Sequence, residues 1–439
     1  MTPPLSRRQF VQTSSAAAAG ASLAVPAAAR DEGDAASPGD RPVRVAVMGL
    51  GRGLSLAKTF SGLPNVTVAA LCDVDAGRLN RAMKEVTALS GAAPSSATDV
   101  REVLADPSID ALLVAAPNFW HTPAALLALE AGKHVYVEKP CSHTPAEGER
   151  LEAAAKRTGL CVQHGTQRRS APLILEGMDL VRGGEIGDVY LARGWYANGR
   201  GPVNLDAPTE PPPSLDYDLW QGPVPRAPYR AGMIPYNWHW FWDYGNGELG
   251  NNGVHALDLA RWGLDAEFPD SVVCTAGRYA WDDDQQTPDT AQCAWTFPGG
   301  KQMTWEGLSC NKLGLMGDGF GVTFHGTNGS VQLTSGGYRS FDRQGKETHR
   351  SANSDFGEME AAHAANFVAA IRADDPGLLH APADVAHRST LPCHLGNIAH
   401  RVGRRLTCDP ATGRILHDEE ASALWDREYA EGWNPARPA

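Results

Sequence analysis

From Val43 onward the apolar positions fall into short, nearly unbroken blocks: VRVAVM, VTVAALC, IDALLVAA, HVYV and LCVQH. Such blocks mark strands buried on both faces of a parallel sheet. Between them, RLNRAMKEVTALS, VREVLADPS, HTPAALLALEAG and PAEGERLEAAAKRTG space their apolar residues at three and four, which predicts helices. The alternation runs over residues 43–165 and predicts a doubly wound α/β domain. From 166 the rhythm changes. DVYLARGWYAN, DSVVCTAGRYAW, TAQCAWTF, KQMTWEGLSC, GVTFHGTNGSVQL and GYRSFD read as strands, several with period two, separated by turn clusters such as PGG and TNGS. Residues 166–439 are therefore expected to form an α+β domain on an open, mostly antiparallel sheet, with C-terminal helices returning onto the core.

Upstream of Val43 the pattern is different again. Ser6-Arg7-Arg8-Gln9-Phe10 precedes an Ala-rich stretch ending in Ala27-Ala28-Ala29, the order of a twin-arginine signal peptide over 1–29. RDEGDAASPGDRP, residues 30–42, has the polar composition of a linker. A periplasmic or otherwise exported location is expected. The apolar part is small-residue-rich and ends at Pro26, which argues against stable membrane insertion.

Chemistry enters where the first strand ends. Gly49-Leu50-Gly51-Arg52-Gly53 follows VRVAVM directly and opens a helix, an order that predicts a dinucleotide-binding Rossmann turn. Its glycines permit a tight turn and close approach to a pyrophosphate, and the helix N-terminus offers free N–H groups. Asp73 ends the next strand about 20 residues later, the place of a carboxylate that binds the adenosine ribose. That carboxylate favours NAD as cofactor, while Arg78 nearby leaves NADP open. The glycine of the third motif position falls at 53 rather than 54, so helix–strand packing there is expected to differ slightly. Asn118 and His121 follow one strand, Glu138 and Lys139 the next, at the sheet edge where ligands of such folds sit. Lys139 precedes Pro140 and is restricted to extended backbone.

The second domain carries two insertions. APTEPPPSLDYDLWQGPVPRAPYR is expected to be a fixed irregular loop. YNWHWFWDYGNGELGNNGVHALDLARWGL crowds Tyr236, Trp238, His239, Trp240, Phe241, Trp242 and Tyr244 together, suited either to stacking on sugar C–H faces or to anchoring the loop. After Gly250 a helix is expected, with Asn251 and His255 on one face. Arg168, at the domain junction, either contacts substrate oxygens or pairs with a carboxylate. A net charge of −12 excludes nucleic acid as a partner. The eight cysteines include no CxxC pair, and their even count establishes no disulfide. No metal site is read.

The glycine turn, Asp73, APNFWH, Glu138-Lys139-Pro140 and GNGELGNNGVHALD together resemble the glucose–fructose oxidoreductase / inositol dehydrogenase / MocA (Gfo/Idh/MocA) family. The resemblance covers nearly the whole chain after the signal. It implies an NAD(P)-dependent oxidoreductase acting on a hydroxyl carbon of a sugar or cyclitol. Lys139 and His255 would be catalytic. Gly49, Gly51, Arg52, Gly53, Asp73, Asn118, His121 and Glu138 would hold the cofactor, with His121 at its nicotinamide end. Arg168, Trp238, His239 and Asn251 would meet the carbohydrate substrate. The family has a carboxylate where this chain has Asn251, so the usual acid–histidine coupling is in question. An exported enzyme has no NAD pool outside, so a tightly bound, internally recycled cofactor is expected. Two alternatives stand: an NAD-dependent glycosidase working by transient oxidation, and a non-catalytic sugar-binding protein. A homo-oligomer, dimer or tetramer, is expected, because a large apolar face of the open sheet would need covering.

Overall fold

A computed structural model describes residues 41–353 and 355–434. The expected signal and all but the last two residues of the expected linker lie outside the described residues. Six strands, β1 (Val43–Met48), β2 (Val66–Cys72), β3 (Ser95–Ala97), β4 (Ala111–Val114), β5 (His134–Val137) and β6 (Val162–His164), pair in parallel in the order β3-β2-β1-β4-β5-β6. This is the Rossmann strand order, and its switch point lies between β1 and β4. Alternate residues of β1 feed opposite cores: Val45 and Val47 pack with Leu56, Phe60 and Phe367, Ala46 and Met48 with Leu112, Phe119 and Trp120. Burial on both faces is why the apolar blocks run without interruption. The edge strand β3 has the sequence SSA and no apolar block announced it; Ser95 and Ser96 are exposed and pair with β2 alone.

Helices α1 (Gly53–Ser61), α2 (Ala76–Ser90), α3 (Val100–Leu104), α4 (Asn118–Glu130) and α5 (Pro145–Thr158) connect these strands, and α6 (Pro172–Arg182) leads into the second domain. Asp75, Asp99 and Thr144 cap α2, α3 and α5 through their side chains, accepting first-turn N–H groups.

The second sheet comprises β7 (Val189–Gly199), β8 (Ser271–Gly277), β9 (Thr290–Thr296), β10 (Gln302–Leu308), β11 (Cys310–Asn311), β12 (Phe320–Gly326), β13 (Gly329–Thr334), β14 (Gly337–Asp342), β15 (Glu347–Arg350), β16 (Leu406–Cys408) and β17 (Ile415–Leu416). Its order is β15-β14-β13-β12-β7-β10-β9-β8-β16-β17, with β11 on β7; β7 and β10 run parallel and the other pairs antiparallel. Trp295, Met303, Trp305, Val322 and Phe324 form the inner face. Leu257 and Leu264 of α8 (Val254–Leu264) and Leu391 and Leu395 of α10 (Ala383–Val402) belong to the same core. The opposite face carries Arg193, Thr275, Gln292, Thr304 and Glu306, with Val273 as an exposed aliphatic. Leu191, Trp195, Ala294 and Leu308 share this side by register, so the face is mixed polar and apolar. Cys274 and Cys293, direct cross-strand neighbours, form a disulfide.

The C-terminal helices return as expected. α9 (Phe356–Ala373) places Phe367 and Val368 in the core beside α1, and α10 packs against α5 and α8. The Pro-rich insertion is only partly irregular. It holds a short helix, α7 (Tyr217–Gln221), and is stitched to the first domain by Ala76 N–H to the Ser214 carbonyl and Asp216 N–H to the Val74 carbonyl. Among the described residues no helix is long and apolar enough to cross a membrane.

Candidate active site

A cavity of about 500 Å³ opens at the switch point. Its floor is the glycine turn. Gly49 has φ +84°, and a Cβ there would lie 2.6 Å from the Ala116 nitrogen, so only glycine fits. A Cβ on Gly53 would lie 2.8 Å from Val47 Cγ1. The displaced third glycine therefore still performs the close helix–strand packing its motif position serves. The backbone N–H groups of Gly51, Arg52 and Leu54 have no acceptor among the described residues and stand free at the start of α1. Asp73 lines the cavity at the other side of the turn. Its carboxylate accepts Leu50 N–H at 2.6 Å and Asp75 N–H at 2.8 Å, and burial raises its pKa. Each oxygen keeps a lone pair for a further donor. Free amides, a cradle that admits no side chain and an acid at the second strand end fit an adenine dinucleotide. Arg78 also reaches this wall; its Nη1 lies 2.7 Å from where a Gly51 Cβ would stand.

The opposite end of the cavity is where the two domains meet. Lys139, joined to Pro140 by a cis peptide, leaves the end of β5 and donates from Nζ to the Asn251 carbonyl at 2.5 Å and to Asn251 Oδ1 at 3.1 Å. Asn251 does not lie in a regular helix. Leu249–Gly253 form a π-turn that runs directly into α8, and such turns concentrate at functional sites. His255 follows in the first turn of α8, with Nδ1 buried and unpartnered. Burial, then the charges of Lys139 and Arg168, hold its pKa well below the usual imidazole range. Burial also lowers Lys139, against the opposing pull of Glu138 and Glu248. The structure thus joins Lys139 to Asn251 directly, while His255, in the field of Lys139, is not among the residues that line the cavity.

Four of the expected site residues already have partners within the protein. His121 lines the cavity with its two ring nitrogens facing backbone carbonyls, Pro140 at 2.5 Å and Ala116 at 2.8 Å; burial favours the neutral ring, which donates to one of the two. Glu138 lines the cavity, yet its carboxylate accepts Arg52, Gln167 and the Lys139 N–H. The Arg52 side chain lines the cavity and is held through Nε by Glu138 at 3.0 Å and through Nη2 by Glu360 at 2.5 Å. Arg168 does not pair with a carboxylate. Its guanidinium lies 3.9 Å over the Phe320 ring, and burial lowers it to about 10.

Asn118 begins α4, lines the cavity and is fixed by its amide to Asn246 Oδ1 at 3.1 Å. The aromatic segment divides between its two readings. Trp240, Phe241 and Tyr244 are core, while Tyr236, Trp238 and His239 line the cavity. Trp238 and His239 stack at 3.6 Å between ring centres. His239 Nδ1 lies at the Tyr236 carbonyl, and burial lowers this ring to about 3.

Residues 43–166 match the family model described as the oxidoreductase family, NAD-binding Rossmann fold, and residues 192–435 match its C-terminal alpha/beta domain. The chain belongs to the Gfo/Idh/MocA oxidoreductase family. A glycosyl hydrolase family 109 protein of Saccharopolyspora erythraea is 35% identical over 178 residues, 36% of this chain and 39% of that protein. The scyllo-inositol 2-dehydrogenase (NAD(+)) of Bacillus subtilis is 31% identical over 158 residues, 36% of this chain and 45% of that one. The chain thus spans less than half the length of these curated relatives. In fold it is similar to a levoglucosan dehydrogenase solved with NADH and levoglucosan, with TM-score 0.66, 17% identity, and coverage of 84% of this chain and 99% of that one. NAD is the cofactor of this Rossmann domain.

Two parts of this Gfo/Idh/MocA site escaped the sequence reading. Glu360 of α9 holds Arg52, Ser55 and Thr59, clamping the glycine turn from the far end of the chain. Glu248 accepts Arg200 and Ser309, and Arg200 in turn donates to the Tyr236 hydroxyl, which lies 3.4 Å from the Asn251 amide. The Pro-rich insertion, expected only as a fixed irregular loop, supplies Leu215, Leu219 and Trp220 to the cavity wall.

Proposed function

We propose that this protein oxidises or reduces a hydroxyl-bearing carbon of a sugar or cyclitol. NAD supplies the acceptor or donor of the hydride. The Gly51 and Arg52 amides bind its pyrophosphate and Asp73 a ribose hydroxyl. Lys139 donates a hydrogen bond to the reacting oxygen and stabilises negative charge developing there. His255, kept neutral by burial and neighbouring cations, accepts the hydroxyl proton. Asn251 keeps the Lys139 ammonium in place and offers its amide N–H groups to a second hydroxyl. Tyr236, Trp238 and His239 give the sugar an aromatic wall. The observation carrying this reading is the Lys139–Asn251 bond, which brings the strand end after β5 and the π-turn before His255 to one end of the glycine-turn cavity.

The chain is further proposed to be exported folded, with NAD held and regenerated within the site. The similarity to a glycosyl hydrolase family 109 protein favours glycoside cleavage as the second reading. One experiment separates them. The purified protein is denatured and assayed for released NAD, then incubated with free sugars and with aryl glycosides. NAD release with reduction by free sugar supports the oxidoreductase. Aglycone release without net reduction supports cleavage. A protein that neither carries nor binds NAD sinks both.

A further inference from the structure

The Pro-rich insertion leaves the second domain and returns to it at one place. Pro208 and Arg230 face each other in an antiparallel bridge, and Thr209 N–H donates to the Tyr229 carbonyl at 3.0 Å. The stretch between them crosses to the first domain and is fixed there twice. Ala76 N–H donates to the Ser214 carbonyl and Asp216 N–H to the Val74 carbonyl, both at 2.9 Å, which sets Leu215 opposite Asp75. Farther on, Trp120 Nε1 of α4 donates to the Trp220 carbonyl at 2.9 Å, and a Cβ on Gly222 would collide with the Trp120 ring. Leu219, on α7, lies between these two anchors. A closed stem and two anchors make the insertion a strap laid across the first domain.

The strap crosses at a defined place on the cofactor track. The amides of the glycine turn suit a pyrophosphate, and Asp73 suits a hydroxyl of the adenosine ribose. The adenine is joined to that ribose and so lies beside Asp73. Val74, Asp75 and Thr98 line the cavity there, and Leu215 and Leu219 line the same cavity. Leu215 is held by backbone bonds opposite the residue two beyond Asp73. Leu215 is buried and Leu219 half-buried. Two branched aliphatic side chains give the flat face of a purine an apolar surface to cover.

We infer that Leu215 and Leu219 pack against the adenine of NAD, so that the second domain completes the adenosine end of a site otherwise built by the first. The contact rests on NAD as the cofactor and not on the proposed sugar chemistry. A base held under a strap fastened on both sides leaves only past the two leucines, so they slow its release.

The test titrates the full chain with AMP and with nicotinamide mononucleotide, the two halves of NAD, by ligand-observed NMR, and with NADH by fluorescence. AMP should bind, and saturation of the leucine methyl protons should pass to the adenine ring protons. Leu215→Ala combined with Leu219→Ala should weaken AMP and NADH by about 10- to 100-fold and speed release of NADH into excess NAD by a similar factor, with the nicotinamide half unchanged. Leu219→Ala alone, at the half-buried position, should weaken AMP by about 3- to 10-fold and decides the matter if the double variant does not fold. The inference is overturned if AMP does not bind, or if the variants bind it as the parent does. It is equally overturned if the nicotinamide half weakens as much as AMP, which would put the leucines at the other end of the cofactor. Absence of sugar turnover with AMP binding intact would instead remove the proposed reaction and leave this contact standing.

Discussion

Replacing Asn251 by aspartate exchanges an amide for a carboxylate of nearly the same shape, at the acceptor that fixes Lys139. The Oδ1 atom lies 3.1 Å from the Lys139 Nζ. Two unit charges at that distance attract by about 5 kcal/mol at an effective dielectric of 20. Desolvating the new carboxylate offsets part of this, because residue 251 is 6% exposed. The net effect of an opposite charge this close is a pKa change of about 1–3 units, at about 1.36 kcal/mol per unit. The sign is fixed: a carboxylate favours the protonated form of its neighbours. Lys139, now lowered by burial, should rise by about 1–3 units, and His255 should rise by less because it is not in contact. If neutral His255 is the proton acceptor, the acidic limb of kcat/KM for sugar oxidation moves to higher pH in Asn251→Asp. The assay is NADH absorbance across pH, with nitrogen-15 NMR titration of the lysine and histidine side chains as a readout independent of turnover. Limbs and titrations that stay within about 0.3 unit of the parent would refute the coupling.

Gly49→Ala forces a side chain into left-handed backbone and against the Ala115–Ala116 peptide; NADH binding should fall at least about 10-fold and stability by at least about 1–2 kcal/mol, measured by NADH titration and urea unfolding. Arg169→Met strands Asp258, which is 1% exposed and otherwise held by Ser389; about 3–5 kcal/mol of stability should be lost, and a urea midpoint unchanged from the parent would contradict this. His143, His164 and His394, lowered by burial to about 3, and His363 and His387, lowered to about 4, protonate in the unfolded chain near 6.5 but not in the native one. Their contribution is complete above pH 6.5 and falls by about 1.36 kcal/mol per unit for each ring as pH drops toward 4. Urea midpoints at pH 7, 6 and 5 should decline together with proton uptake on unfolding, and a flat series would rule the assignment out.

The Rossmann strands were readable because burial on both faces leaves a continuous apolar block, as in VRVAVM. The SSA edge strand has no such burden and left no trace. Glycines were legible one position at a time: Gly49 announces its turn, whereas the packing of Gly53 on Val47 appears only in three dimensions. Within the site, residues next to a motif drew attention in the sequence and partners distant in sequence did not. Lys139 and His255 come with local signatures. Glu360, 308 residues from Arg52, has none, and neither does the Phe320 ring beneath Arg168. His121 and Glu138 sit where ligand contacts are expected, and sequence cannot tell a free polar atom from one already claimed by the backbone or an arginine.

The clamp from Glu360 onto Arg52 also sets an order of events during synthesis. The loop at residues 49–53 leaves the ribosome early, but its ionic partner on α9 emerges only after the whole second sheet as far as β15. Until then the α1 surface that receives Phe367 is bare, and nothing holds the Arg52 guanidinium against Glu360. Glu138 reaches the same guanidinium from within the first domain, so the clamp on Arg52 closes in two stages, the second only when α9 is made.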